Sequence, residues 1–453
     1  MTATLEEQSY RYLRPSTLEL ADGRADLTLS TSGGRVATGS TTHPVFFEGF
    51  LGHPEQAAGA MLAVAKVART RFYTPPGMLA AILRAADPVV TSNRDRLRFE
   101  GFSACCGVYL RYDALPGSLD GTVRDSGTTN VDFNTPMREA LSRIGGQEPL
   151  HLQVGEDVVV STLDRQVVER KVPLPGRWLK GFAEVQQVSG RVTPTLEVSA
   201  AEARRFVRGL ASSSSRKPVW VVAAGRGLRL TSRATPDGVS LSGFERLKPL
   251  DPLLRFARSL KVYAAPYDPR GAAAVWELTL DDARLVLTLS PESSRGFSGE
   301  GGVLAGLADA ESADDADLVS ALLAFEPRID VARLAAEADL TEGRVLRALD
   351  RLGAAGCVGY DVAEGAYFHR ELPYDAERLA AMHPRLRDAN ALLETDAVRL
   401  DGDTAYVRSG QAEHVVRHTP DGDRCTCPWF AQHQGGRGPC KHVLAVTLAR
   451  QRG

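Results

Sequence analysis

Cysteine is scarce in this chain: there are six in 453 residues, and three of them fall between Cys425 and Cys440. An excess of one charge is also missing. With 54 basic and 56 acidic side chains the formal net charge is −2. That argues against a protein coating nucleic acid or an anionic membrane through bulk electrostatics, while leaving room for a local basic patch. No run approaches the roughly 18 consecutive apolar residues that cross a bilayer. The opening MTATLEEQSYRYLRPSTLELADG has two early glutamates and no apolar core of a secretory signal. The expected location is the cytoplasm, with no membrane partner. Thiols stay reduced there, so clustered cysteines read as metal ligands before they read as disulfides.

Catalytic signatures are absent too. GRG at 225–227 lacks both the GK[ST] end of a phosphate loop and a full GxGxxG, and there is no nucleophile elbow, HExxH or kinase-like set. Asn130, Asp132 and Asn134 have the oxygen spacing of half a calcium loop, but Leu141 stands where a bidentate glutamate is required. Cys105 and Cys106 read as neighbours on a strand, one buried and one half-buried. Asp113, Asp125 and Asp132 read as loop and surface carboxylates. The chain is expected not to be an enzyme.

The length exceeds what one core supports, so two to four domains are expected. The 43% hydrophobic and 24% charged content is that of a globular protein. Arginine outnumbers lysine and alanine is abundant, as in a GC-rich bacterial genome. The expected class is α+β multidomain. Residues 1–190 form a mixed unit of unknown role, with helical patterns from Glu55, Pro76 and Gly176 and strand-like runs at DPVVTSN, RLRFEGFSACCGVYLRYD and HLQVGEDVVVSTLD. Residues 191–300 read as a second α+β unit with a serine loop at 212–215 and three antiparallel strands turning at YDPRG and DD. A Gly-rich, acidic linker is expected over 301–316, a helical connector over 376–394 and a small metal-binding unit over 395–453.

Residues 317–375 carry three helical patterns, ADLVSALLAF, DVARLAAEADL and TEGRVLRALDRLGAAG, with Thr341 as N-cap and Gly356 as stop of the third. Two strand-like runs, Cys357–Val362 and Ala366–Arg370, follow around Glu364-Gly365. This order resembles the winged helix-turn-helix family. The resemblance implies that the helix near Glu342–Leu352 would offer Arg344 and Arg347 to DNA. Ten acidic residues against six arginines over 317–373 favour a packing or interaction role instead.

The opening scarcity finds its reason at the C-terminus. CTCPWFAQHQGGRGPCKH spaces Cys425 and Cys427 as Cys-x-Cys and Cys440 and His442 as Cys-x-His. The first pair falls at a strand end, the second in the first turn of a helix opened by Pro439. Three thiolates and an imidazole can close a tetrahedral site on one structural Zn²⁺, which would hold together a unit with little core of its own. The pattern, with Trp429-Phe430 after the second cysteine and Val443-Leu444 after the histidine, resembles the SWIM zinc finger. The resemblance implies a DNA-binding or protein-interaction module; the protein partner it suggests is an AAA+ ATPase of the chaperone type. His414, His418 and His433 read as solvent or packing histidines. Arg437 and Lys441, in GGRGPCKH at the helix start, are the best candidates for a phosphate, and Trp429 for covering the metal or stacking on a partner.

Overall fold

The computed structural model describes residues 9–12, 14–21, 23–73, 87–146, 148–155, 170–173, 176–210, 217–309, 311–372, 383–420 and 422–452. The helix expected from Pro76, the run beyond Gly155, the serine loop at 212–215 and the first part of the 376–394 connector lie outside them.

The centre of the fold is a ten-stranded antiparallel sheet. Its order is Thr193–Ser199, Ser259–Ala264, Ala274–Leu280, Ala283–Leu289, Val108–Ala114, Leu97–Phe102, Val89–Ser92, Gly127–Asn130, Gly34–Val36 and Gly39–Thr41. Strands from both sides of residue 190 share this sheet, joined where Ala283–Leu289 pairs with Val108–Ala114. Local patterns report strands but not such long-range pairings, so a border at 190/191 could be drawn in the sequence where the sheet has none.

The central strands do not alternate in burial, because both faces are covered. One face presents Leu97, Phe99, Leu110 and Tyr112 to the helix Pro54–Arg69, which is itself buried on most sides. The other face carries charge. Arg98, Glu100, Arg111, Asp113 and Arg284 lie on it, all buried. Asp113 is therefore not the surface carboxylate its sequence context suggests. It sits at the end of a strand that the rest of the chain covers. Cys106, buried, and Cys105, half-buried, occupy a turn rather than a strand, with Cys106 at φ 58°.

Two elements cover the charged face. The helix Gly176–Ser189 brings Trp178, Leu179 and Phe182 against Phe102 and Tyr109, with Phe102 and Phe182 rings 5.0 Å apart. It comes so close that a Cβ on Gly181 would stand 2.6 Å from Cys106 Sγ. The hairpin Val358–Asp361/Ala366–His369 covers the rest. Its Asp361 accepts from Arg98 at 2.9 Å and Arg284 at 3.0 Å and lies 3.2 Å from Arg111. Arg370, just beyond the hairpin, pairs with the buried Glu100.

Helices Glu311–Leu322, Val331–Ala338 and Glu342–Ala354 precede that hairpin and share a core of Val319, Leu334, Val345 and Leu349. Thr341 Oγ1 caps the third by accepting from Arg344 N, and Gly356 follows it at φ 80°. The expected linker at 301–316 is packed rather than extended. Val303, Leu304 and Ala308 are buried, the short helix Leu304–Ala308 lies within it, and the acidic run continues as the helix Glu311–Leu322. Ala316 and, in part, Ala313 fall on its inner side with Asp315, while Asp314, Asp317 and Ala321 are exposed.

The C-terminal unit follows the helix Pro384–Glu394. Strands Val398–Asp401, Thr404–Ser409, Ala412–Arg417 and Arg424–Cys425 form a four-stranded antiparallel sheet, and the helix Lys441–Arg452 packs on one face of it. Among the described residues, no helix is long and apolar enough to cross a membrane.

Candidate metal centre

The last strand of the small sheet ends at Cys425. Two residues on, Cys427 serves as N-cap of the short helix Pro428–His433, its Sγ accepting from Phe430 N at 3.4 Å. The chain then turns through Gln434 at φ 47°, Gly435 at φ 80° and Gly438 at φ 75° and enters the final helix. There Cys440 Sγ accepts from Val443 N at 3.5 Å, and His442 lies within the first turn. Each sulfur at a helix start is thus met by a backbone N–H, which favours its thiolate form.

The four ligand atoms of Cys425, Cys427, Cys440 and His442 lie within 4.8 Å of one another, and all four residues are buried. Cys425 Sγ is 3.7 Å from His442 Nδ1. Tetrahedral Zn²⁺ with ordinary Zn–S and Zn–N bonds would set that distance at about 3.6 Å. By themselves the three thiols cannot all ionise. Cys440 is drawn down to about 4, chiefly by the Cys425 hydrogen bond. Cys425 is pushed far up by the same bond and by burial, and Cys427 is raised by burial. A divalent cation at the centre is what lets all three be thiolates, and no open position is left for water. His442 Nε2 is buried without a hydrogen-bond partner among the described residues, and its ring rests on His414 at 4.3 Å.

His433 lies outside the cluster, edge-on to Trp429 at 4.3 Å, and His418 pairs with Asp423 at 2.7 Å. Trp429 is held between two guanidinium groups, Arg385 at 4.7 Å and Arg437 at 4.8 Å from its ring. Arg437 itself donates to Gly299 O at 2.5 Å. The amides of Gly436 and Gly438 close turns onto His433 O and Gly435 O, both at 2.9 Å. Arg437 therefore faces inward and is spent on seating the metal unit, while Gly435 and Gly436 are exposed and Lys441 is half-exposed beside them. Away from this site, Arg344 makes a two-point pair with Asp315 at 2.6 and 2.9 Å, while Arg347 is exposed.

One residue that carries the seating gave no sequence signal. Arg385 donates to Arg437 O at 2.7 Å, Pro439 O at 3.0 Å and Glu300 O at 2.9 Å. Its partners are backbone carbonyls 52 to 85 residues away, which no local pattern encodes.

Comparison with known proteins bears on this end of the chain alone. No curated protein matches the sequence. Among solved structures it is similar to the proliferating cellular nuclear antigen from Entamoeba histolytica, at 8% identity and a TM-score of 0.34, covering 55% of this chain and 99% of that one. That likeness is too distant to bear on fold or function. Residues 419–451 match the SWIM zinc finger; with the Cys425, Cys427, Cys440 and His442 cluster inside that span fitting one structural Zn²⁺, the C-terminal segment of this chain is a SWIM zinc finger.

Proposed function

We propose that this is a non-catalytic, cytoplasmic binding protein whose zinc-stapled SWIM domain contacts nucleic acid, with DNA the first candidate. The observation that carries the reading is how the domain's basic residues divide. Arg437 is turned inward, but Arg399, Arg408, Arg417 and Arg424 are exposed and make no ion pair with any described residue. The three helices and hairpin of 311–369 support a winged-helix reading. With the hairpin docked on the large sheet and Arg344 paired to Asp315, they fit a packing module better than a DNA reader.

A second reading has its own support. Leu318 and Leu346 are 43% and 44% exposed, on helices that also expose Asp314, Asp317 and Glu342. An acidic, apolar surface suits a protein partner, and an AAA+ ATPase is the candidate. Fluorescence anisotropy of labelled DNA with zinc-loaded protein over a salt series separates the two. Binding that weakens steeply with salt supports nucleic acid. No binding at low salt would transfer the role to a protein partner.

A further inference from the structure

The SWIM sheet has two unlike faces. Toward the final helix it turns Ala405, Val407, Val416 and Cys425, all buried. The strand register places the arginines on the other face. Arg417 and Arg424 are direct cross-strand partners, and Thr404 lies beside Arg417 on the next strand. One row along, Arg399 pairs across from Tyr406, with its guanidinium carbon 4.1 Å from the ring centroid. Arg408 occupies the third row, opposite Glu413. At ordinary strand spacings this face measures roughly 14 Å in each direction.

Like charges directly opposite each other on a sheet cost stability. Arg417 and Arg424 bear that cost, and no described carboxylate relieves it. Counting Arg399 and Arg408, four guanidinium groups face solvent against the two carboxylates of Asp401 and Glu413. Near the middle lies an aromatic ring already in contact with a cation.

We propose that this face binds single-stranded nucleic acid, an inference that rests on the reading of the chain as a nucleic-acid binder. Arg417, Arg424 and Arg408 take phosphates, and the Arg399–Tyr406 pair offers a stacking surface to an unpaired base. A duplex hides its base faces within the stack and would leave that surface unused.

The test uses full-length, zinc-loaded protein with labelled oligo(dT), oligo(rU) of equal length and a duplex DNA. Arg417→Glu is the first variant, because it turns a repulsive pair into an attractive one. It is expected to bind single strands about tenfold or more weakly and to flatten the salt slope by about 1.4, some 0.7 for each of two phosphate contacts. Its melting temperature should equal or exceed that of the wild type, which separates lost binding from lost folding. Tyr406→Ala is expected to lose roughly tenfold while keeping one zinc per chain. Equal affinity for the two oligomers supports recognition of single strands in general, and a preference supports recognition of one sugar. Single-strand binding unchanged in both variants overturns this face and leaves the nucleic-acid reading standing. Tighter binding to the duplex overturns the single-strand assignment. No binding to any of the three at low salt overturns both.

Discussion

Serine at position 425 would leave two thiolates and an imidazole around the ion, with a hydroxyl that is a poor ligand at neutral pH. Structural zinc contributes on the order of 10 kcal/mol or more to folding a small unit, so Cys425→Ser should remove most of the metal. Metal analysis is expected to fall from one zinc per chain to well below one. Limited proteolysis should then clear residues beyond about 395 while sparing the rest, and a variant that kept its zinc and its cleavage pattern would refute the ligand assignment. At this scale the ligands were readable because their types and spacings are dictated by the ion's own geometry. Arg437 and Trp429 were harder. Their types suggest phosphate and base contacts, yet Arg437 bonds to Gly299 O and the tryptophan sits between Arg437 and Arg385. Sequence gives a side chain's chemistry but not the direction it faces.

Between elements, the seating of the zinc loop depends on a position with no side chain. Gly438 has φ 75°, and a Cβ there would collide with the carbonyl oxygen of Gly301. Gly438→Ala therefore meets both a strained backbone and a backbone contact that cannot swing aside. We expect a destabilisation of roughly 1–3 kcal/mol, seen as a lower denaturant midpoint. Cleavage around residues 299–308 should quicken while zinc content stays at one per chain. Equal loss of zinc would mean that loop and centre fold as one unit. The same contact shows how 301–316 can have the composition of a linker and still pack. Glycines and acidic residues are what linkers contain, but here the glycines allow close approach. Asp315 answers Arg344, and Arg351 donates to Gly306 O and Asp309 O. Helix positions and the Thr341 cap were readable, since periodicity and capping act within a few residues.

Across the whole molecule, the hairpin and the ten-stranded sheet are joined by charge as well as by the packing of Val362 against Tyr263, Val275 and Val286. Arg98, Arg111 and Arg284 converge on Asp361, which is 1% exposed. Burial alone would raise the Asp361 pKa, but Arg111, Arg98 and Arg284 outweigh it and hold the carboxyl well below the usual range. Its contribution is therefore present in full above the unfolded aspartate value of about 3.9, and is lost as pH falls below that value. Asp361→Asn leaves three guanidinium groups short of one carboxylate. Removing one partner of a buried pair costs on the order of 3–5 kcal/mol, so the variant should unfold at clearly lower urea than the wild type at pH 7. That gap should narrow steadily between about pH 4 and pH 3, as the carboxyl of the unfolded wild-type chain takes up its proton while the folded one stays ionised. A gap that stayed constant across this range would assign the loss to packing and remove the charge account of how hairpin and sheet are held. None of this join could be read from the sequence, where Arg98, Arg111, Arg284 and Asp361 are separated by up to 263 residues. A charged residue in a strand pattern reads as solvent-facing until the element that covers it is known.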